Sequence, residues 1–417
     1  MTIDLNYLLA PAQPVLLGQI QILDLKNDSL RSSAGDRGDL LITTDQKIQL
    51  NPTDLPPLVQ KIAADHLILG NGLVDLYSTC GEPGFESRET WASLANAARH
   101  GGFVKVGVLP PLDKLAGVEM MRQQAPTNLL TWAAITKHRL GKEMNDLAEL
   151  APQVLGFTDA APFAQLGFLQ RSLEYLQPFG KPIMLWAYNL ELAAKGVMRE
   201  GKWSLNYGLS GVPALAETSA IAAVIELIEV VRCPIHLMRI STARSVELIC
   251  QAQSRGLPIT ASVVWHHLIH DLAELANYDP DLHLNPPLGD SHDREALIQA
   301  VKSGVVGAIA IDHTPYTYEE KALAFEHSPP GAIGLEFALP LLWHKLVETG
   351  KLSALELWRS LSLNPASYLG LSTPKLVTIF NPKVIWQVNK QNTSSLAANS
   401  VWSGKSISGK ALALTPI

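Results

Sequence analysis

"ETSAIAAVIELIEVVRCPIHLMRISTARSVELICQAQSRGLPITASVVW", residues 217–265, alternates between two periodicities. Apolar positions recur at helical spacing in "ETSAIAAVIELIEVV" and "ARSVELICQAQSRG". "CPIHLMRIST" and "LPITASVVW" are instead apolar for about one strand's length before they reach polar or turn residues. The same alternation runs from about residue 70 to 370, where "GGFVKVGVLP", "QVLGFTD", "KPIMLWAYN" and "VVGAIAIDHTP" supply further strand-like runs. Repeated βα units over this length favour a closed (β/α)8 TIM-type barrel, with an open doubly wound sheet as the alternative that periodicity does not exclude.

The flanks read differently. "VLLGQIQILDL" (15–25), "GDLLITT" (38–44) and "HLILGNGLVDL" (66–76) are β-like runs punctuated by turn residues. "KLVTIFNPKVIWQV" (375–388) and "SVWSGKSISGKALALTPI" (400–417) repeat the pattern at the other end. The expected architecture is therefore an α/β barrel over 71–371 with a small β-sandwich domain built from 1–70 and 372–417.

Composition narrows the function classes. With 417 residues, 47% hydrophobic and 17% charged, the chain has the make-up of a globular protein that folds throughout. A formal charge of −6 without any Lys/Arg-rich run argues against nucleic acid and anionic membranes as partners. Three scattered cysteines, Cys80, Cys233 and Cys250, form neither a disulfide framework nor zinc-finger spacing. The N-terminus lacks the basic start and unbroken apolar core of a signal peptide, so the expected location is cytoplasmic. In a barrel, polar residues at 75–84, 159, 186–189, 239–242, 266–267 and 312–313 fall where strands end, which is where such folds hold their sites.

Several segments carry a resemblance: "GEPGFESRETWASLANAARHGGF" (81–103), "GVMREG" (196–201), "GVPALAET" (211–218), "RISTARSVELI" (239–249), "HHL" (266–268), "NPPL" (285–288), "AIDHTPYTYEEK" (310–321) and "GLEFALPLL" (334–342). In this order and spacing the chain resembles the dihydroorotases of the amidohydrolase superfamily, the type similar to allantoinases and hydantoinases, nearly end to end. In that family a barrel strand ends in D-x-H-x-H-x-R. Its two His bind zinc, which lowers the pKa of a bound water for attack on a cyclic amide, and its Arg grips the substrate carboxylate.

Measured against this resemblance the chain has lost its chemistry. Tyr77, Thr79 and Gly81 stand where His, His and Arg belong, Trp186 replaces the His of H-x-E-D, and Arg239 replaces the His before V-S-T. The family's paired aspartates are reduced to Asp159-Ala160, and the Asn of M-P-N-T is Pro111. Asp312, the family's catalytic aspartate, persists with His313, Asn285 and the pair His266-His267, while the last His of D-H-x-P-H is Tyr316. The resemblance thus implies zinc in active relatives but no metal and no cofactor here, with Arg239 facing Asp312 in place of the metal's charge.

Blander readings attach to individual residues. Adjacent His266 and His267, read on a strand, point to opposite faces and do not share an ion, and with His236 and His313 they read as satisfied structural imidazoles. Cys80 reads as a small apolar residue, and Tyr77, Trp186 and Tyr188 as volume fillers.

The function implied is that of a non-catalytic dihydroorotase-like protein of pyrimidine biosynthesis, of the kind that assembles with aspartate transcarbamoylase as a structural partner, with or without homo-oligomerisation. Two alternatives stand beside it. One is a cyclic-amide hydrolase with an atypical metal site; the other is a binding module that takes dihydroorotate or carbamoyl aspartate in the emptied pocket.

Overall fold

The computed structural model describes residues 4–23, 37–110, 115–163, 165–374 and 377–414. Parallel strands follow one another around a barrel. Leu73–Ser78 pairs with Phe103–Val108, which pairs with Leu129–Thr131. Single bridges from Ala133 to Phe157 and from Phe157 to Ile183 supply a fourth strand of one residue. Met184–Leu185, Ile235–Leu237, Ile259–Val264 and Ala308–Ala310 continue the order. The ring closes where the Asp312 N–H donates to the Tyr77 carbonyl at 3.1 Å and the Thr79 N–H to the His313 carbonyl at 2.7 Å. The backbones approach closely beside it: a Cβ on Gly156 would lie 2.3 Å from the Pro182 carbonyl oxygen, so only glycine fits there.

Asp75 stitches this closure. Its buried carboxylate accepts from the Ile311 N–H at 2.8 Å and the Ser78 hydroxyl at 2.6 Å, and the Ser78 oxygen in turn accepts from the His313 N–H at 3.0 Å. Burial pushes Asp75 up to about 7 against the hydrogen bonds that favour its ionised form.

The helices cover the barrel. Leu215–Val231 and Ala243–Ser254 occupy the two helical stretches of the opening segment, the second capped by Thr242, whose side chain accepts from the Ser245 N–H. No helix among the described residues is long and apolar enough to cross a membrane.

Strands from both chain ends form one seven-stranded sheet. Five come from the first part of the chain and two, Val377–Gln387 and Ser406–Leu414, from the last. Leu17, Ile20, Ile379 and Leu412 are fully buried beneath it. The run "HLILGNGLVDL" is shared between the two units: Ile68–Asn71 joins this sheet against Val377–Gln387, and Leu73–Ser78 begins the barrel. Gly72 lies at the change of direction, where a Cβ would stand 2.5 Å from the Val104 side chain.

The connection between the last two strands reaches back to the barrel. Glu336, almost fully buried, accepts from the Ser394 N–H at 2.9 Å and the Ser395 N–H at 3.2 Å. Burial pushes its carboxyl up from the ordinary 4.5 to about 7. Between these values the folded chain holds a proton that the unfolded chain releases, so this group's contribution to stability falls as pH rises through that window and is flat above it. From pH 5 to pH 8 the wild type is expected to lose about 2–3 kcal/mol more than Glu336→Gln in chemical denaturation. Parallel pH profiles for the two proteins would refute this.

Candidate functional site

The strand ends surround a cavity of about 190 Å³. Thr79 follows the first strand, Trp186 the fifth, Arg239 the sixth, His266 and His267 the seventh, and Asp312 the eighth; Asn285 joins them from a loop. Sequence reasoning singled out all seven. Tyr77 lies fully buried within the first strand. Asp159, Gly81 and His313 do not line the cavity, and Pro111 lies outside the described residues.

Arg239 and Asp312 form a two-pronged ion pair, Nε to Oδ2 at 2.8 Å and Nη2 to Oδ1 at 2.7 Å, with only 11% and 10% of their side chains exposed. Both residues have left-handed backbones, φ 60° and 52°, which non-glycine residues seldom adopt without support. Tyr77 gives that support twice: its hydroxyl accepts from the Arg239 N–H at 3.1 Å, and its carbonyl accepts from the Asp312 N–H. The guanidinium also stacks 4.8 Å from the Trp186 ring centroid and 5.8 Å from that of Tyr77. Trp186 is stacked in turn on buried Tyr188, with centroids 5.2 Å apart. Burial works against the charge on Arg239, and Asp312 more than offsets this, holding the guanidinium above its ordinary value.

Beneath Tyr77 lies a closed polar chain. Its hydroxyl meets the Ser262 hydroxyl at 3.3 Å, and His236 bonds Ser262 through Nε2 at 2.8 Å and Thr260 through Nδ1 at 2.9 Å. His236 is thus a satisfied imidazole, kept neutral by burial that lowers its pKa to about 3. His313 is also engaged. Its Nδ1 accepts from the Gly334 N–H at 3.3 Å, which places its proton on Nε2, 3.3 Å from the Glu89 carboxylate.

The residue set does not fit a zinc ion. The Tyr77 hydroxyl is committed to Arg239 and Ser262, Thr79 donates to the His313 carbonyl at 3.0 Å, Gly81 has no side chain, and the surviving carboxylate is gripped by a cation. Asp159, buried elsewhere, accepts from the Thr136 N–H at 2.9 Å and the Thr136 hydroxyl at 2.5 Å, and burial raises its pKa. Among the described residues one trio of ligand-type side chains converges, Asp290, His292 and Asp293. It sits at a helix start outside the cavity, where Asp290 already caps the N–H groups of the other two. Cys80 carries no nucleophile's signature: its thiol contacts the Glu89 carbonyl, and burial pushes it up to about 12.

Two expectations need correction. His266 and His267 do not lie on a strand: the strand ends at Val264, and His266–Ile269 form one helical turn, so both imidazoles border the same cavity. Nor are they satisfied. His266 has no hydrogen-bond partner among the described residues, and His267 only the Pro286 carbonyl, 3.2 Å from Nε2. The backbone turns helical here because Trp265 takes up helical angles as the strand ends.

Sequence reasoning missed a charged pair of positions nearby. Glu217 is buried and accepts from the Ser241 N–H at 3.0 Å and the Thr242 N–H at 3.2 Å, fixing the turn that carries Arg239. Arg199, 4% exposed, donates Nη2 to the Ser241 hydroxyl at 2.6 Å, while Nε and Nη1 have no partner among the described residues. The available signal was a charge inside "GVMREG" and another inside "GVPALAET", where adjoining apolar residues foretold burial.

Comparison with known proteins gives the family and the fold. A family model described as dihydro-orotase-like matches residues 66–245. A probable dihydroorotase-like protein of Synechocystis sp. is 38% identical, covering 95% of this chain and 98% of the relative. The dihydroorotase of Pelotomaculum thermopropionicum is 32% identical over 81% of this chain and 83% of its own length. Among solved structures, an L-hydantoinase from Arthrobacter aurescens superposes with a TM-score of 0.78 at 19% identity, covering 95% of this chain and 93% of that one. A dihydropyrimidinase from Brevibacillus agri gives 0.76 at 17%, covering 95% and 92%, and these two likenesses establish the fold, a TIM-type barrel with a β-rich companion. The chain belongs to the dihydroorotase-like family.

Proposed function

We propose that this protein is a non-catalytic dihydroorotase-like protein, retained as a structural partner of aspartate transcarbamoylase in pyrimidine biosynthesis. The observation that carries the first half is the Arg239–Asp312 pair. A hydrolytic site of this superfamily needs a carboxylate free to hold metal and move a proton, and here that carboxylate accepts both prongs of a guanidinium. Tyr77, Trp186 and Tyr188 pack the surrounding space, so the fold stands without the ions. The partner is supported by the resemblance alone, since a fold does not specify what binds it.

Co-expression tests the partnership. The protein and the same organism's aspartate transcarbamoylase are expected to elute together on size exclusion, with the transferase losing stability when this chain is omitted. Separate elution at micromolar concentrations of both, with an unchanged transferase melting temperature, would refute it.

A further inference from the structure

A second cavity, of about 210 Å³, lies away from the mouth, where the seven-stranded sheet meets the flank of the barrel, and it shares no lining residue with the first. The helix Trp91–His100 ends at it, and the strands Val377–Gln387 and Ser406–Leu414 contribute Trp386 and Lys410. Glu336 faces it from the barrel side, and Ser394 from the connection between those strands. Two opposite charges therefore line one space, and neither is paired. Glu336 is 6% exposed, and its carboxylate accepts only from backbone, the Ser394 N–H at 2.9 and 3.0 Å and the Ser395 N–H at 3.2 Å. Lys410 holds its Nζ 5.0 Å from the centroid of the Trp386 ring, and neither it nor Glu336 forms an ion pair among the described residues. The indole is fixed in turn by its Nε1, which donates to the Gly409 carbonyl at 2.7 Å. His100 adds no second cation: its Nδ1 lies 2.7 Å from the Ser394 hydroxyl, and burial, helped by Arg99 and Lys410, lowers its pKa.

We propose that this cavity binds a free α-amino acid of small side chain, with its ammonium group on Glu336 and its carboxylate on Lys410. A buried carboxylate without a cation is costly, and an ammonium group entering the cavity supplies one. The Lys410 Nζ, resting on an indole face, keeps its donors for an incoming carboxylate. A ligand with one charge gains much less. A simple carboxylate meets Glu336 without bringing a cation, and a simple amine meets Lys410 without bringing an anion, so each is opposed at one end. A molecule carrying both charges on one carbon is favoured at both ends. The size agrees: about 210 Å³ falls below the roughly 300–1,000 Å³ of sites for drug-sized ligands, leaving space for few atoms beyond the charged groups. Since the two cavities are separate, activity at the mouth neither requires nor excludes this ligand.

Glycine, L-alanine, L-serine and L-asparagine are the probes, titrated separately into the full chain at about pH 8, above the value of about 7 to which burial pushes Glu336. The chain is labelled with 5-fluorotryptophan, and its nine indole signals are followed by fluorine NMR, the Trp386 signal being assigned by its loss in Trp386→Phe. The expected result is a saturable shift of that signal with at least one of the four, with a midpoint on the order of 1 mM. The same compound without its amine, and the same compound without its carboxylate (acetate and methylamine in the case of glycine), are each expected to bind at least about tenfold more weakly. Lys410→Met keeps the aliphatic stem over the indole, and with an unchanged melting temperature it is expected to weaken the amino acid by about tenfold, as is Glu336→Gln. A Trp386 signal unmoved by all four probes at about 50 mM would overturn the proposal. So would equal binding of the singly charged compounds, or a midpoint that Lys410→Met leaves in place.

Discussion

Arg239→Met is expected to destabilise the fold by about 3–5 kcal/mol, because it leaves the Asp312 carboxylate buried without its cation. The guanidinium is held by two bonds under 3 Å, and its removal also withdraws the contacts over Trp186 and Tyr77. Asp312→Leu is expected to be comparably harmful for the converse reason, leaving a buried cation. The double variant Arg239→Met, Asp312→Leu removes both charges together and is expected to lie within about 1–2 kcal/mol of the wild type, since a buried pair often gains little over apolar residues of similar volume. Urea denaturation of the four proteins gives the cycle. A double variant whose loss equals the sum of the singles would mean that the two side chains do not act as a pair.

Gly81 supplies the second large effect. Restoring the family's arginine there is expected to cost about 3 kcal/mol or more. A Cβ at this position would stand 2.1 Å from the Phe85 carbonyl oxygen and 2.9 Å from both the N and O of Glu89. These are backbone atoms, and the Phe85 N–H already donates to the Gly81 carbonyl at 2.8 Å, so the turn has no freedom to open. Alanine is expected to lose most of the same amount, because the first carbon makes the clash. A loss below about 0.5 kcal/mol for Gly81→Arg would show that the turn yields and that its tightness is not what excludes a longer side chain.

The barrel was legible because helical and strand periodicities alternate cleanly between 217 and 265, and the structure keeps that order. Less legible was the run from 66 to 76, where one apolar stretch serves two units and the division falls at Gly72, a position with no room for a Cβ beside Val104. At the site, the facing of Arg239 and Asp312 followed from the resemblance, which puts both residues at positions that hold metal in the family, and the ion pair is present. His266 and His267 escaped because a strand reading was carried three residues past Val264, and period alone does not say where a strand turns into a helix. Glu89 escaped for another reason. Its role depends on the Ser395 hydroxyl, the Leu396 N–H and His313, partners more than two hundred residues away in the chain.

The central claim is that the barrel mouth no longer performs hydrolysis. It is tested most directly by assaying the interconversion of dihydroorotate and carbamoyl aspartate with purified protein in the presence of added zinc, beside Asp312→Ala. The account predicts rates indistinguishable from buffer for both proteins. Turnover by the wild type that disappears in Asp312→Ala would contradict it, because Asp312 would then be free to work despite Arg239.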